Sequence, residues 1–216
     1  MDTALLAALL DALAELAADP DLRAVVFSTT SERALCAGAD VSEDLDAAGG
    51  VARMEQFTRM YAAVAAFPLP TVAVCVGNVV GAGAELAAGC DLRVGGDNLK
   101  LAWAGAKLGV PVGPARLVPL IGLSRAKELI LTGRVVGMEE AERIGFLHRA
   151  ARAADAERVA LELAAAMRDH PPEGLRRLKG MFRELGDDAR RTTYENELLL
   201  EFQREGAGLP RRASGQ

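Results

Sequence analysis

The stretch Pro70-Thr71-Val72-Ala73-Val74-Cys75-Val76-Gly77-Asn78-Val79-Val80-Gly81-Ala82-Gly83-Ala84-Glu85-Leu86-Ala87-Ala88-Gly89-Cys90-Asp91-Leu92-Arg93 decides how this chain is read. Thr71 to Val76 is apolar and β-branched, the pattern of a strand buried on both faces. Small residues then run from Gly77 to Gly83, and Ala84-Glu85-Leu86-Ala87-Ala88 reads as the start of a helix. Asp91 to Val94 and Leu99 to Trp103 look like further strand pieces.

Upstream the same theme occurs once more. Ala24-Val25-Val26-Phe27 is a short buried strand, and a polar and small stretch follows, ending in Cys36-Ala37-Gly38-Ala39-Asp40. Leu5, Leu6, Leu9, Leu10, Leu13 and Leu16 place a leucine face on a helix over residues 3–18, which Asp19-Pro20 ends. Met54 to Phe67 is helical and stops at Pro68. From Ser124 onward the pattern predicts helices only: Ser124 to Leu131 with Ser124 as cap, Met138 to Ile144, Ala154 to Met167, Glu173 to Leu185 and Ala189 to Arg204. The division falls at residue 115, with an α/β core over 1–115 and a helical region over 116–216. The tail from Gly206 to Gln216 reads as frayed.

Composition narrows the function. The 216 residues are 50% apolar, enough for a sizeable core, and aromatics are only 4%, which leaves few stacking platforms for single-stranded nucleic acid. Lys and Arg number 25 against 30 Asp and Glu, a net charge of −5. A phosphate-backbone binder needs the opposite balance, so no nucleic-acid partner is expected. Apolar stretches such as Leu69 to Val76 are too short to span a bilayer, and Met1-Asp2-Thr3 lacks the positive start of a signal peptide. Cys36, Cys75 and Cys90 are odd in number and lack metal-ligand spacing. They read as plain thiols in a reducing cytoplasm, with no metal site.

The chemistry lies in the two glycine turns. Tiny side chains let a ligand approach the backbone, and N–H groups at the head of a helix point outward with the positive end of its dipole. Two such turns facing each other would grip a developing oxyanion. Taken singly, each also reads as a tight turn chosen for packing. Other glycine motifs fit poorly: Leu86 stands where a dinucleotide fingerprint needs a small residue, no Gly-Lys-Ser/Thr run exists, and no Gly-x-Ser-x-Gly elbow occurs.

Ala24 to Asp40, Pro70 to Arg93 and Leu108 to Gly145, with Ala37-Gly38-Ala39-Asp40 before the central stretch and Glu128-Leu129-Ile130-Leu131-Thr132-Gly133 after it, resemble the crotonase (enoyl-CoA hydratase/isomerase) superfamily. The resemblance implies an α/β spiral of strand–strand–helix repeats followed by a helical C-terminal region that serves oligomerisation, in homotrimers or hexamers. It implies acyl-CoA thioester substrates of fatty acid metabolism, with coenzyme A arriving as part of the substrate and no permanently bound cofactor. It assigns the two oxyanion amides to Ala39 and Ala82. The backbone of Leu35, Cys36 and Ala37 would meet the adenine, and Glu85 matches the first of two hydratase glutamates. Asp40 at the pocket mouth, Gly81 in the second turn, and Trp103 and Gly105 at the pocket wall complete the candidate contacts. A carboxylate beside a dry thioester pocket could exchange protons with carbon. At the head of a helix it could equally complement the macrodipole.

The chain departs from that pattern in places. The second hydratase glutamate would fall 20 residues after Glu85, where Gly105 stands. One positioned acid or base typically contributes about 10²–10⁴ in rate, so efficient two-carboxylate hydration is not expected. Hydration of a 2-enoyl-CoA with Glu85 alone leads. Isomerisation, decarboxylation, thioester hydrolysis and non-catalytic acyl-CoA binding are the alternatives. The Val110-to-Leu117 loop and both chain ends are shorter than the family's. Lys107, His148, His170 and the Arg176, Arg177, Lys179 group read as solvated or loop residues.

Overall fold

The computed structural model describes residues 1–209. Asp2 accepts a hydrogen bond from the Leu5 N–H and so caps helix α1 (Thr3–Ala18), which stops before Pro20. Strands β1 (Val25–Phe27) and β2 (Ala34–Cys36) follow, then helix α2 (Ala47–Ala66). The central stretch forms β3 (Thr71–Cys75), β4 (Asn78–Val80) and helix α3 (Ala82–Gly89), and the next turn gives β5 (Leu92–Gly96) and β6 (Lys100–Ala102). Beyond lie α4 (Pro114–Ile121), α5 (Leu123–Thr132), α6 (Met138–Arg143), β7 (Arg149–Ala151), α7 (Ala156–Ala165), α8 (Pro172–Gly186) and α9 (Asp188–Arg204).

The strands form two parallel sheets, one in the order β1-β3-β5-β7 and the other in the order β2-β4-β6. Each turn of the chain therefore leaves one strand in the first sheet, rounds a corner, leaves one in the second and returns through helix. This is the strand–strand–helix spiral expected from the sequence. The corner between β3 and β4 depends on Gly77, whose φ is +57° and whose added Cβ would lie 2.3 Å from the Arg33 carbonyl oxygen.

The main core joins both halves of the chain: Leu6 and Leu13 of α1, Phe57 and Met60 of α2, Leu86 of α3 and Leu199 of α9 belong to one buried cluster. Residues on either side of position 115 thus share a core. A second cluster packs Val72, Val74 and Val94 of the first sheet against Ala156 and Ala160 of α7.

Three readings need correction. The region after Ser124 is not purely helical, because β7 pairs in parallel with β5 through Val94, Gly95 and Gly96. Its Arg-Ala-Ala sequence carries no strand pattern, and pairing with β5 alone makes it a strand. Ser124 is not a cap: Gly122, at φ +82°, separates α4 from α5, which starts at Leu123. The run from Gly77 to Gly83 does not simply lead from strand to helix: β4 occupies Asn78–Val80, and α3 opens at Ala82 rather than Ala84. Of the tail read as frayed, residues 210–216 lie outside the described residues. Among the described residues no helix is long and apolar enough to cross a membrane.

Candidate active site

The two glycine turns meet. An added Cβ on Gly81 would lie 3.9 Å from the Gly38 Cα, and one on Gly83 would lie 2.2 Å from the Cys36 carbonyl oxygen. Only glycine at 83 lets α3 seat this closely on β2. Between the turns lies a cavity of about 140 Å³. Its lining includes Ala37, Gly38, Ala39, Gly81 and Ala82 of the two turns, together with Phe57, Tyr61, Gly105, Val110, Val112 and Leu199. Among the described residues Tyr61 is its only titratable side chain, and burial pushes the phenol well above its ordinary value.

Ala82 opens α3, so its N–H has no acceptor within the helix. The Ala39 and Ala82 amides donate to no other described residue, whereas Asp40 N–H goes to Met1 O at 2.8 Å and Gly81 N–H to Ala102 O at 3.0 Å. Two free backbone donors therefore border an apolar cavity, where a hydrogen bond to a polarised oxygen is worth more than in water.

The remaining candidates divide. Leu35 and Cys36 lie on β2 behind the turn, with the Leu35 N–H bonded to Val76 O at 3.0 Å. Asp40 stands outside the cavity wall and accepts from Ser42 N and Oγ at 2.8 and 2.6 Å; those bonds hold its carboxyl below the usual range. Trp103 is buried beneath the wall rather than on it, edge-on to Phe146 with centroids 5.5 Å apart. The aromatic pair takes the indole into the core.

Glu85 also lies off the cavity wall. It sits three residues after Ala82 on the same helical face, but it is 1% exposed. Its Oε2 accepts from Arg116 Nε at 2.6 Å, and Arg116 Nη2 donates to Glu195 Oε1. Glu195 Oε2 accepts from Gly113 N at 3.1 Å and Ala115 N at 2.8 Å, so it caps α4 from α9. The Arg116 guanidinium also stacks over the Tyr61 ring, 4.5 Å from its centroid. Burial raises the Glu85 carboxyl, Arg116 pulls it back, and Glu195 raises it again, to about 7. At Arg116 burial works against the charge, and the two carboxylates outweigh it, raising its value.

Sequence reasoning missed Arg116, Glu195 and Tyr61. Arg116 left a signal, being the only charged residue between Leu108 and Ser124. Lys179, read with a solvated face, is buried: Nζ donates to Asp91 Oδ2 at 2.7 Å and Leu69 O at 2.9 Å, anchoring α8 to the central stretch. Cys75 and Cys90 are free thiols pushed up to about 12 by burial, and Cys36 is half-buried. Among the described residues no group of three or more His, Cys, Asp and Glu side chains could hold a metal ion.

A family model described as Enoyl-CoA hydratase/isomerase matches residues 1–205. The chain belongs to this family, the crotonase superfamily. A probable enoyl-CoA hydratase of Mycobacterium tuberculosis is 39% identical over 147 residues, covering 67% of this chain and 57% of that protein. The matched stretch is thus under two thirds of that relative's length. YngF of Bacillus subtilis, which carries the family name, is 33% identical over 211 residues, or 89% of this chain and 78% of its own. The crystal structure of an enoyl-CoA hydratase from Bacillus anthracis superposes with a TM-score of 0.81 at 25% identity, over 98% of this chain and 90% of that one. The crotonase fold extends through the helical C-terminal region.

Proposed function

We propose that the chain processes acyl-CoA thioesters, and that its leading reaction is hydration of a 2-enoyl-CoA. The observation that carries this reading is the pair of free amides, Ala39 and Ala82, beside an apolar cavity in a crotonase fold. In the proposed reaction the thioester oxygen accepts from both amides. The Glu85 carboxylate takes a proton from water as the water oxygen bonds to Cβ, and charge moves onto the thioester oxygen. Glu85 then returns the proton to Cα, so one water is added in full. One oxyanion donor is worth about 3–4 kcal/mol of barrier, which makes the amides the larger contribution.

Glu85 would act through Oε1, because Arg116 holds Oε2. That oxygen lies against Gly113, where an added Cβ would be 3.3 Å from it, and the neighbouring Val112 lines the cavity. A second reading is binding of acyl-CoA without hydration. It is favoured by the seal around Glu85 and by Gly105, where the resemblance expects a second carboxylate.

The test is the loss of enone ultraviolet absorbance when the protein meets crotonyl-CoA. Loss in the wild type that disappears in Glu85→Gln supports hydration with one carboxylate. Tight binding without absorbance loss supports the second reading, and loss that persists in Glu85→Gln contradicts the role of Glu85.

A further inference from the structure

The buried charge cluster contains two carboxylates and one guanidinium, and its hydrogen bonds are unevenly shared. Glu195 has both oxygens occupied: Oε1 by Arg116 Nη2, and Oε2 by the Gly113 and Ala115 amides at 3.1 and 2.8 Å. Glu85 has one donor in hydrogen-bond geometry, Arg116 Nε at 2.6 Å; among the described residues its buried Oε1 has no such partner, and the Trp103 indole beside it favours the charged form. Among the described residues Arg116 Nη1 is buried without a hydrogen-bond partner, and Trp103 Nε1 reaches none in hydrogen-bond geometry. Side-chain exposure of Glu85, Arg116 and Glu195 is 0%, 3% and 5%, so water does little to screen the charges.

We propose that Arg116 and Glu195 are positioning residues for Glu85: Arg116 is divided between two carboxylates, which pins Glu85 by Oε2 and leaves Oε1 as the one carboxylate oxygen free to take up and release a proton. The inference rests on the reading of Glu85 as proton carrier. With both carboxylates ionised the cluster carries a net negative charge in a dry interior. One added proton neutralises it, and Oε1 is the open position.

The groups around Glu85 come from several elements: Tyr61 from α2, Trp103 after β6, Arg116 from α4 and Glu195 from α9. Arg93 of β5 lies under the far end of α3, its guanidinium held by the Ala87 and Cys90 carbonyls. Glu195 is the group whose negative charge opposes ionisation of Glu85 at closest hand. Glu195→Gln keeps an oxygen for the α4 amides but removes that charge. The ionised form of Glu85 is then favoured, and the cluster's titration moves to lower pH.

The experiment is a pH titration of the full chain labelled with ¹³C at glutamate carboxyls, followed by NMR, beside the pH profile of kcat for crotonyl-CoA. In the wild type one carboxyl resonance titrates near neutral pH and is missing in Glu85→Gln. In Glu195→Gln its midpoint falls by about one pH unit or more, and the acid limb of kcat falls with it. A wild type in which no glutamate titrates between pH 6 and 8 overturns the proposal, whether or not the variants fold. So does a Glu195→Gln midpoint that stays put or rises. A near-neutral titration that responds to Glu195, in a protein that leaves crotonyl-CoA unchanged, upholds the cluster and refutes Glu85 as proton carrier. Turnover that requires Glu85 without that titration does the reverse.

Discussion

Replacing Arg116 by Met keeps the apolar length of the side chain and strands two carboxylates in the core. Arg116 is 3% exposed at its side chain, and the carboxylates it serves are 0% and 5% exposed, so neither can recover hydration without opening the structure. Removing one partner of such a buried pair costs about 3–5 kcal/mol. Stacking on Tyr61 at 4.5 Å adds to the loss. That is a large share of the roughly 5–15 kcal/mol available to a domain. The control is Arg134, which bonds Glu128 at 2.6 Å and Glu140 at 2.7 Å but is 39% exposed. Both arginines bridge two carboxylates, and burial is the main difference between them. Urea unfolding at pH 8 should show Arg116→Met losing several kcal/mol while Arg134→Met barely moves the midpoint. At pH 5.5 the stranded Glu85 carboxyl takes up a proton and the Arg116→Met deficit shrinks. Adding Glu85→Gln to Arg116→Met removes one stranded charge and returns part of the loss. Equal, small losses for Arg116→Met and Arg134→Met would refute the claim that the cluster is a dry, charge-balanced unit.

Two further outcomes follow from the same geometry. Gly83→Ala would gain about 1 kcal/mol from helix propensity alone, but its Cβ would lie 2.2 Å from the Cys36 carbonyl oxygen. The turns must separate by about 1 Å, and kcat/KM for crotonyl-CoA should drop about 10²-fold; a variant within threefold of wild type would show that the spacing is immaterial. Gly105→Glu does not restore a second carboxylate, because a Cβ at 105 meets Val112 Cγ1 at 2.9 Å and the Val110 carbonyl oxygen at 3.0 Å. It should lower stability by about 1–3 kcal/mol in urea unfolding without raising turnover, and faster turnover at unchanged stability would contradict that.

What could be read from the sequence was local. β3 is a continuous apolar run because both its faces are covered, and the turns at Ala37-Gly38-Ala39 and Gly81-Ala82-Gly83 are marked by residue size. The leucines of α1 announced a helix but overstated its buried face. Leu6 and Leu13 are buried, while Leu5 is exposed. The missed parts depend on distant partners. α4 begins Gly113-Pro114, contains Pro119 and has no side-chain cap of its own, so its sequence reads as loop; its free amides are met by Glu195, 80 residues from Ala115. The same separation hid the charge cluster. Glu85 was visible as a candidate, but its partner Arg116 lies 31 residues on, and no spacing rule links an arginine in an apolar run to two carboxylates on other helices. Lys179 carries the same lesson, since Asp91, 88 residues away, draws it into the interior.

The central claim is that Ala39 and Ala82 polarise a thioester carbonyl, and it can be tested without turnover. Hexa-2,4-dienoyl-CoA added to the Glu85→Gln protein reports polarisation directly through its dienone absorption band. Two amides donating to the carbonyl oxygen pull electron density along the conjugated chain and shift the band to longer wavelength on saturable binding. Gly83→Ala should abolish that shift. Saturable binding with an unshifted band would contradict the account.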